Sequence, residues 1–159
     1  MVLSTEAIEK IDRELPKFPP EQKRSAVISA LAIAQHEHGH LTTEVMDAVA
    51  AHLGMPPIAV YEVATFYGMF DIEPVGTHKL AICTNLPCAL RGSVEAAGHL
   101  KRMLKIDFNE TTADGKFTLK EGECFGACGD APVILHNNKT MLSFMSRERL
   151  DQLLAELSK

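Results

Sequence analysis

No stretch of the chain approaches the roughly 18 consecutive apolar residues of a membrane-spanning helix, so direct membrane insertion is not expected. Basic residues are not in surplus either. The 16 Lys and Arg against 21 Asp and Glu leave a formal charge of −5, without a basic cluster, which argues against nucleic acid as a partner. The opening MVLSTEAIEK has no cationic run followed by an apolar one; no secretory signal is expected, and the cytoplasm is the expected location. Internal repeats and low-complexity tracts are absent. No Gly-rich dinucleotide fingerprint follows a strand-like segment, which excludes the usual nucleotide cradle from this chain. The C-x-x-C pair of dithiol redox sites is missing as well.

What remains is ordinary in composition and specific in pattern. With 46% apolar and 23% charged residues, the 159-residue chain can form one medium domain, or a small domain with a helical extension. The first 70 residues read as short helices. Ile8, Ile11 and Leu15 recur at helical spacing after Ser4 and stop at Pro16; Pro19-Pro20-Glu21 opens a second helix with Val27, Ala30, Leu31 and Ala34 on one face. A third runs from about Thr42 through Val45, Val49 and Leu53 to Gly54, and Pro56-Pro57 begins a fourth through Val60, Val63 and Ala64. Pro74 and Gly76 break the period within 71–77, the expected boundary.

Beyond it the pattern changes. His78 to Cys83 predicts a strand, and Leu90, Val94, Ala97 and Leu104 predict a helix. Phe117 to Leu119 predicts a second strand, Val133 to His136 and Met141 to Phe144 a hairpin around Asn137-Asn138-Lys139, and Leu150 to Leu157 a closing helix starting near Ser146. The order strand, helix, strand, strand, strand, helix is that of an α/β thioredoxin-like sheet with a right-handed crossover between its first two strands.

His36 to His40, HEHGH, spells the zinc-protease signature H-E-x-x-H. That chemistry needs one helix to continue through both histidines. Gly39, followed by Leu41-Thr42-Thr43-Glu44, reads instead as a helix end and the cap of the next helix. A third ligand would have to be conscripted from Glu44 or Glu62. The stretch is read as a helix C-terminus whose histidines favour the negative end of the dipole.

The four cysteines form two hooks. Four residues separate Cys83 from Cys88, three separate Cys124 from Cys128, and 35 lie between the pairs. The first pair follows a predicted strand and the second lies in ECFGACGDAP between two strands, so the two turns can approach one another as a four-thiolate site. Structural zinc and a [2Fe-2S] cluster both accept four thiolates at such spacings, and spacing alone leaves them level. Gly126 and Gly129 let backbone N–H groups approach sulfur, which suits a site whose charge changes, and equally suits tight turns. Phe66, Tyr67 and Phe70 read first as core and second as a docking surface.

With ICTNLPCALRG, ECFGACGDAPVI and the leader LGMPPIAVYEVATFYGMF in view, the chain resembles the E subunits of bacterial NADH:quinone oxidoreductase, respiratory complex I, from about Leu15 to Leu157. The resemblance implies a helical extension over residues 1–74 that docks onto a partner, and a thioredoxin-like [2Fe-2S] ferredoxin domain over 75–159. It implies one [2Fe-2S] cluster held by Cys83, Cys88, Cys124 and Cys128, with no catalytic residue in this chain. FMN and NADH are implied only in the partner subunit, with which the cluster exchanges single electrons. Further complex I subunits and a place in the peripheral arm of a membrane-bound translocase are implied too. Relatives in NAD-linked hydrogenases and formate dehydrogenases make those complexes the alternative, a zinc-stapled binding module the remote one. Phe125 stands where many relatives have an aliphatic residue. Ala131-Pro132 lies where thioredoxin-like folds often carry a cis proline.

Overall fold

The first helix begins where its sequence provides a cap. The Ser4 hydroxyl accepts the Ala7 N–H at 3.1 Å and opens α1, Thr5–Glu14. The structure, a computed structural model, describes residues 2–159. After α1 come two 3₁₀ segments, Leu15–Lys17 and Pro20–Ala26, and then α2, Val27–His38. The second helix therefore begins later than its prolines suggest. Gln22, at φ −115° and ψ 27°, interrupts the turn that Pro20 opens, and regular α-geometry starts only at Val27. Thr42 caps α3, Thr43–Leu53, which ends on Gly54 at φ +65°; α4 spans Pro57–Phe66.

These helices belong to a compact unit, Met1–Pro74, whose core includes Ile11, Leu31, Leu41, Val49 and Val60, all removed from solvent. Its end is tied back by Gln35, whose side chain donates to Met69 O at 3.0 Å and accepts from Asp71 N at 2.6 Å. Removing a side chain of this size from such a core costs about 2–5 kcal/mol, so packing rather than helix propensity holds the bundle.

The second unit, Val75–Lys159, is a five-stranded sheet with helices. Its strands are β1 His78–Cys83, β2 Glu110–Thr111, β3 Phe117–Gly122, β4 Ile134–His136 and β5 Thr140–Leu142, in the order β2-β3-β1-β4-β5. Among the described residues the one parallel pair is β1 and β3, joined through α5 (Leu86–Ala89), α6 (Ser93–Leu104) and the short β2. The closing helix α7, Arg147–Leu157, is capped by Ser146. Leu80, Ile82, Leu119 and Ile134 from the strands meet Ala97, Leu100, Leu150 and Leu154 from α6 and α7 in one core.

Local features of this unit differ from the sequence reading, among them Leu90, which lies outside α6 and is exposed. The short edge strand β2 has no period of its own and exists because β3 offers it a ladder. The last strand stops at Leu142 instead of continuing to Phe144, whose backbone takes φ +55°, a conformation no strand can hold. The hairpin turn itself follows the sequence: in the three-residue connection between His136 and Thr140, Asn137 and Asn138 both take positive φ, which Asn tolerates.

Candidate metal centre

Strand polarity brings the two cysteine hooks together. Parallel β1 and β3 end level, with Cys83 paired to Gly122, so both chains leave the sheet at the same end. The first hook is Cys83 followed by α5, where Pro87 sits in the first turn and Cys88 is carried inward. The second hook, containing Cys124 and the 3₁₀ turn Cys128–Asp130, runs from β3 to β4. Because β1 lies between those strands, that loop must cross the end of β1, directly over Cys83. Cys83 N–H donates to Val133 O at 3.3 Å as the loop returns to the sheet, and Thr84 Oγ1 donates to Glu121 Oε1 at 2.5 Å across the strand ends.

All four cysteines are free thiols, so none is consumed in a disulfide. Cys83 and Cys88 are buried with Ala131 and Val133, and Phe125, Ala127 and Cys128 pack against them. Cys128 is half-buried and Cys124 exposed. The Cys88 thiol is pushed up to about 12, first by burial and then by the adjacent Cys83 and Cys128 sulfurs. Three sulfurs are thus drawn together around Cys88, and the fourth lies at the mouth. Even so, among the described residues no three His, Cys, Asp or Glu side chains gather closely enough to hold a metal ion. Two hooks that each bring a thiol pair to one sheet end are the donor set that a two-iron core takes, and the residues present fit it in chemistry.

Two glycines shape the mouth. Gly126, at φ +72°, donates its N–H to Cys124 Sγ at 3.4 Å. A Cβ there would meet nothing, so the cost of Gly126→Ala is conformational. It should lower stability by about 1–2 kcal/mol, seen as a reduced urea midpoint; an unchanged midpoint would show that the turn does not need its left-handed residue. A Cβ on Gly122, by contrast, would run into the Phe125 ring and approach Ile82 O. Gly122 is what lets Phe125 lie beside the cysteines, and no motif in the sequence points to it.

Other sequence assignments are redistributed. Leu86 is 71% exposed, because α5 turns Cys88 rather than Leu86 to the inner side. Gly129 has no left-handed backbone, so the conformational freedom that suggested an approach to sulfur is used only at Gly126. Phe144 closes onto the second hook through its N–H to Asp130 O at 2.7 Å, and Ser143 Oγ donates to Asp130 Oδ2 at 3.2 Å. The Ala131–Pro132 bond is cis.

The HEHGH stretch forms no site. Helix α2 stops at His38, and Gly39 at φ +82° turns the chain away, so His36 and His40 never share a helical face. Glu37 accepts the Ser4 N–H at 3.1 Å and the Ser4 hydroxyl at 3.2 Å. The carboxylate that a protease would use on water is anchoring the start of α1.

A family model described as thioredoxin-like [2Fe-2S] ferredoxin matches residues 11–158. Over 126 residues the chain is 47% identical to one of the E subunits of NADH-quinone oxidoreductase from Rhizobium meliloti, covering 79% of this chain and 74% of that one. It is 46% identical to the E subunit of NADH-quinone oxidoreductase from Rickettsia prowazekii over 125 residues, 78% of this chain and 71% of the relative. Among solved structures it resembles NAD+-reducing [NiFe]-hydrogenase in the H2-reduced state, with a TM-score of 0.69 and 20% identity over 80% of this chain. That likeness is one of fold, and the chain spans 22% of the hydrogenase chain.

Proposed function

The chain belongs to the thioredoxin-like [2Fe-2S] ferredoxin family, and we propose that Cys83, Cys88, Cys124 and Cys128 hold its cluster. The function is that of the [2Fe-2S] electron-transfer subunit of an NADH:quinone oxidoreductase. The observation that carries the ligand assignment is the β3–β4 loop, which must cross the end of β1 and so lays the second cysteine pair over the first.

Once bound, the cluster supplies storage and release of one electron at a time. The chain's own residues do the rest. The thiols of the two hooks bind; Phe125, Ala131 and Val133 keep water from the inner sulfurs; and the Gly126 N–H offers a hydrogen bond to Cys124, which favours added negative charge. No general acid or base is needed, because no substrate bond changes on this chain. FMN and NADH belong to the partner subunit, which passes electrons singly to and from this site.

Residues 1–74 are the docking element for that flavin-bearing subunit. Support comes from an apolar set at and beyond α4: Phe66 is 80% exposed, Ile58 64%, and Tyr67, Met69 and Ile72 are also open to solvent. The expectation of an aromatic core here holds for Phe70 alone, which is buried. The helix ends at Phe66 and Tyr67 takes extended geometry, so the chain turns and leaves Phe66 outside, its ring edge-on to Tyr67 at 5.1 Å. Among the described residues no helix is long and apolar enough to cross a membrane. A peripheral position within the complex, held by its other subunits, accommodates that.

Iron and acid-labile sulfide analysis of anaerobically purified protein, with electron paramagnetic resonance after reduction, tests the reading. Iron and sulfide in the proportion of the cluster and a reduced-state signal are expected. Stoichiometric zinc without sulfide would leave only a zinc-stapled scaffold. Replacing His36 by Ala should leave iron content unchanged, and loss of metal in that variant would reopen the histidine reading. Copurification of attached chains from the native host distinguishes a quinone oxidoreductase from a hydrogenase or formate dehydrogenase.

A further inference from the structure

Ser93 is wholly buried, yet among the described residues its hydroxyl has no hydrogen-bond partner. Such a group carries a desolvation cost and is uncommon in folded proteins. Helix capping does not explain it: the N-cap of α6 is Gly92, at φ +90°, and Ser93 already lies inside the helix. Packing does not explain it either, since the other buried members of the same face, Ala96, Ala97 and Leu100, are apolar.

Its position in the fold supplies a reason. Helix α6 crosses back from the end of β1 toward the start of β3, so its first turn lies at the sheet end where both cysteine hooks emerge. The link to the first hook is short and closed: Arg91 N–H donates to Cys88 O and Gly92 N–H to Ala89 O, each at 3.0 Å. Ser93 is therefore the member of the buried face nearest Cys88 along the chain. The first-turn N–H groups of this 12-residue helix add partial positive charge at the same end.

We propose that the Ser93 hydroxyl donates its hydrogen bond to sulfur of the bound [2Fe-2S] cluster or its thiolates, and with the α6 N-terminus raises the cluster's reduction potential. The inference rests on the cluster assignment above. The cluster with its four thiolates carries more negative charge when reduced than when oxidised, so a fixed donor favours the reduced form. Among the described residues the hydroxyl has a proton to donate and no acceptor to take it.

The test compares wild-type protein, Ser93→Ala and Ser93→Thr, all with cluster, by redox titration followed spectroscopically. At the wild-type midpoint, Ser93→Ala should reduce the ratio of reduced to oxidised cluster about tenfold, equivalent to about 59 mV for one electron. Ser93→Thr, which keeps the hydroxyl, should recover most of the shift. Deuterium exchange should move the iron–sulfur stretching bands in wild type more than in Ser93→Ala. The cofactor-free Ser93→Ala chain should be as stable as wild type or more so, because no bond is lost. An unchanged potential at full cluster content, or a destabilised cofactor-free chain, would overturn the role of Ser93 and leave the cluster assignment standing. A wild-type protein without sulfide would instead overturn the cluster assignment itself.

Discussion

Replacing Cys88 by Ala is expected to produce a folded chain with neither iron nor acid-labile sulfide. Cys88 is 1% exposed and packs with Cys83, with Cys128 against the same cluster. The Cys88 thiol so placed is held in its protonated form, because burial and neighbouring sulfurs both oppose thiolate formation there. A bound cationic iron core would favour the thiolate instead, and a [2Fe-2S] cluster would draw on all four thiols. With Cys88 gone the first hook offers a single sulfur, and the site one thiol fewer than a four-thiolate cluster would take. The fold does not depend on that sulfur. The main core of the unit, built on Leu80, Ile82, Leu119 and Leu150, lies in a separate cluster of side chains. Loss of stability should fall in the ordinary range for one substitution, about 0.5–3 kcal/mol, while cofactor content falls to background. Circular dichroism and metal analysis on the same preparation separate the two effects. Wild-type sulfide content in Cys88→Ala would remove this residue from the ligand set.

The second large effect is expected at the opposite kind of residue, an exposed one. Phe66→Asp should leave stability within about 0.5 kcal/mol of wild type and cluster content intact, because an 80% exposed ring has little packing to lose. Retention of the flavin-bearing partner should nevertheless collapse. Aromatic anchors of interfaces typically contribute about 2–4 kcal/mol, which is a loss of roughly 30- to 1,000-fold in affinity. A carboxylate placed in a desolvated apolar contact adds its own penalty. Co-purification of tagged variant and partner at graded salt measures this, since an apolar contact should not be restored by changing ionic strength. Full retention of the partner by Phe66→Asp would move the docking surface away from the end of α4.

The elements were legible because their signals are local. Ser4, Thr42 and Ser146 cap helices that begin one residue later, and Gly39 and Gly54 end helices at positive φ. Asn137-Asn138 makes its hairpin by the same kind of local chemistry. Features that depend on a neighbour were not legible. β2 needs β3, Gly122 matters through the Phe125 ring, and Gln22 breaks a turn that its prolines promise. The burial of Phe70 beside an exposed Phe66 reflects where one helix stops, by a margin finer than periodicity resolves.

The sequence by itself determined the donor chemistry: two cysteine pairs, their spacing, and the strand and turn on which each pair falls, all properties of short segments. Only the tertiary structure decided how those pairs meet. The order β3-β1-β4 forces the second loop across the end of β1, placing Cys88 among sulfurs and Cys124 at the mouth. It also decided that one serine is buried without an acceptor at the same end of the sheet. Bonding types are carried by residues, but proximity between segments some 35 residues apart is set by which strands pair, and pairing is a property of the whole sheet.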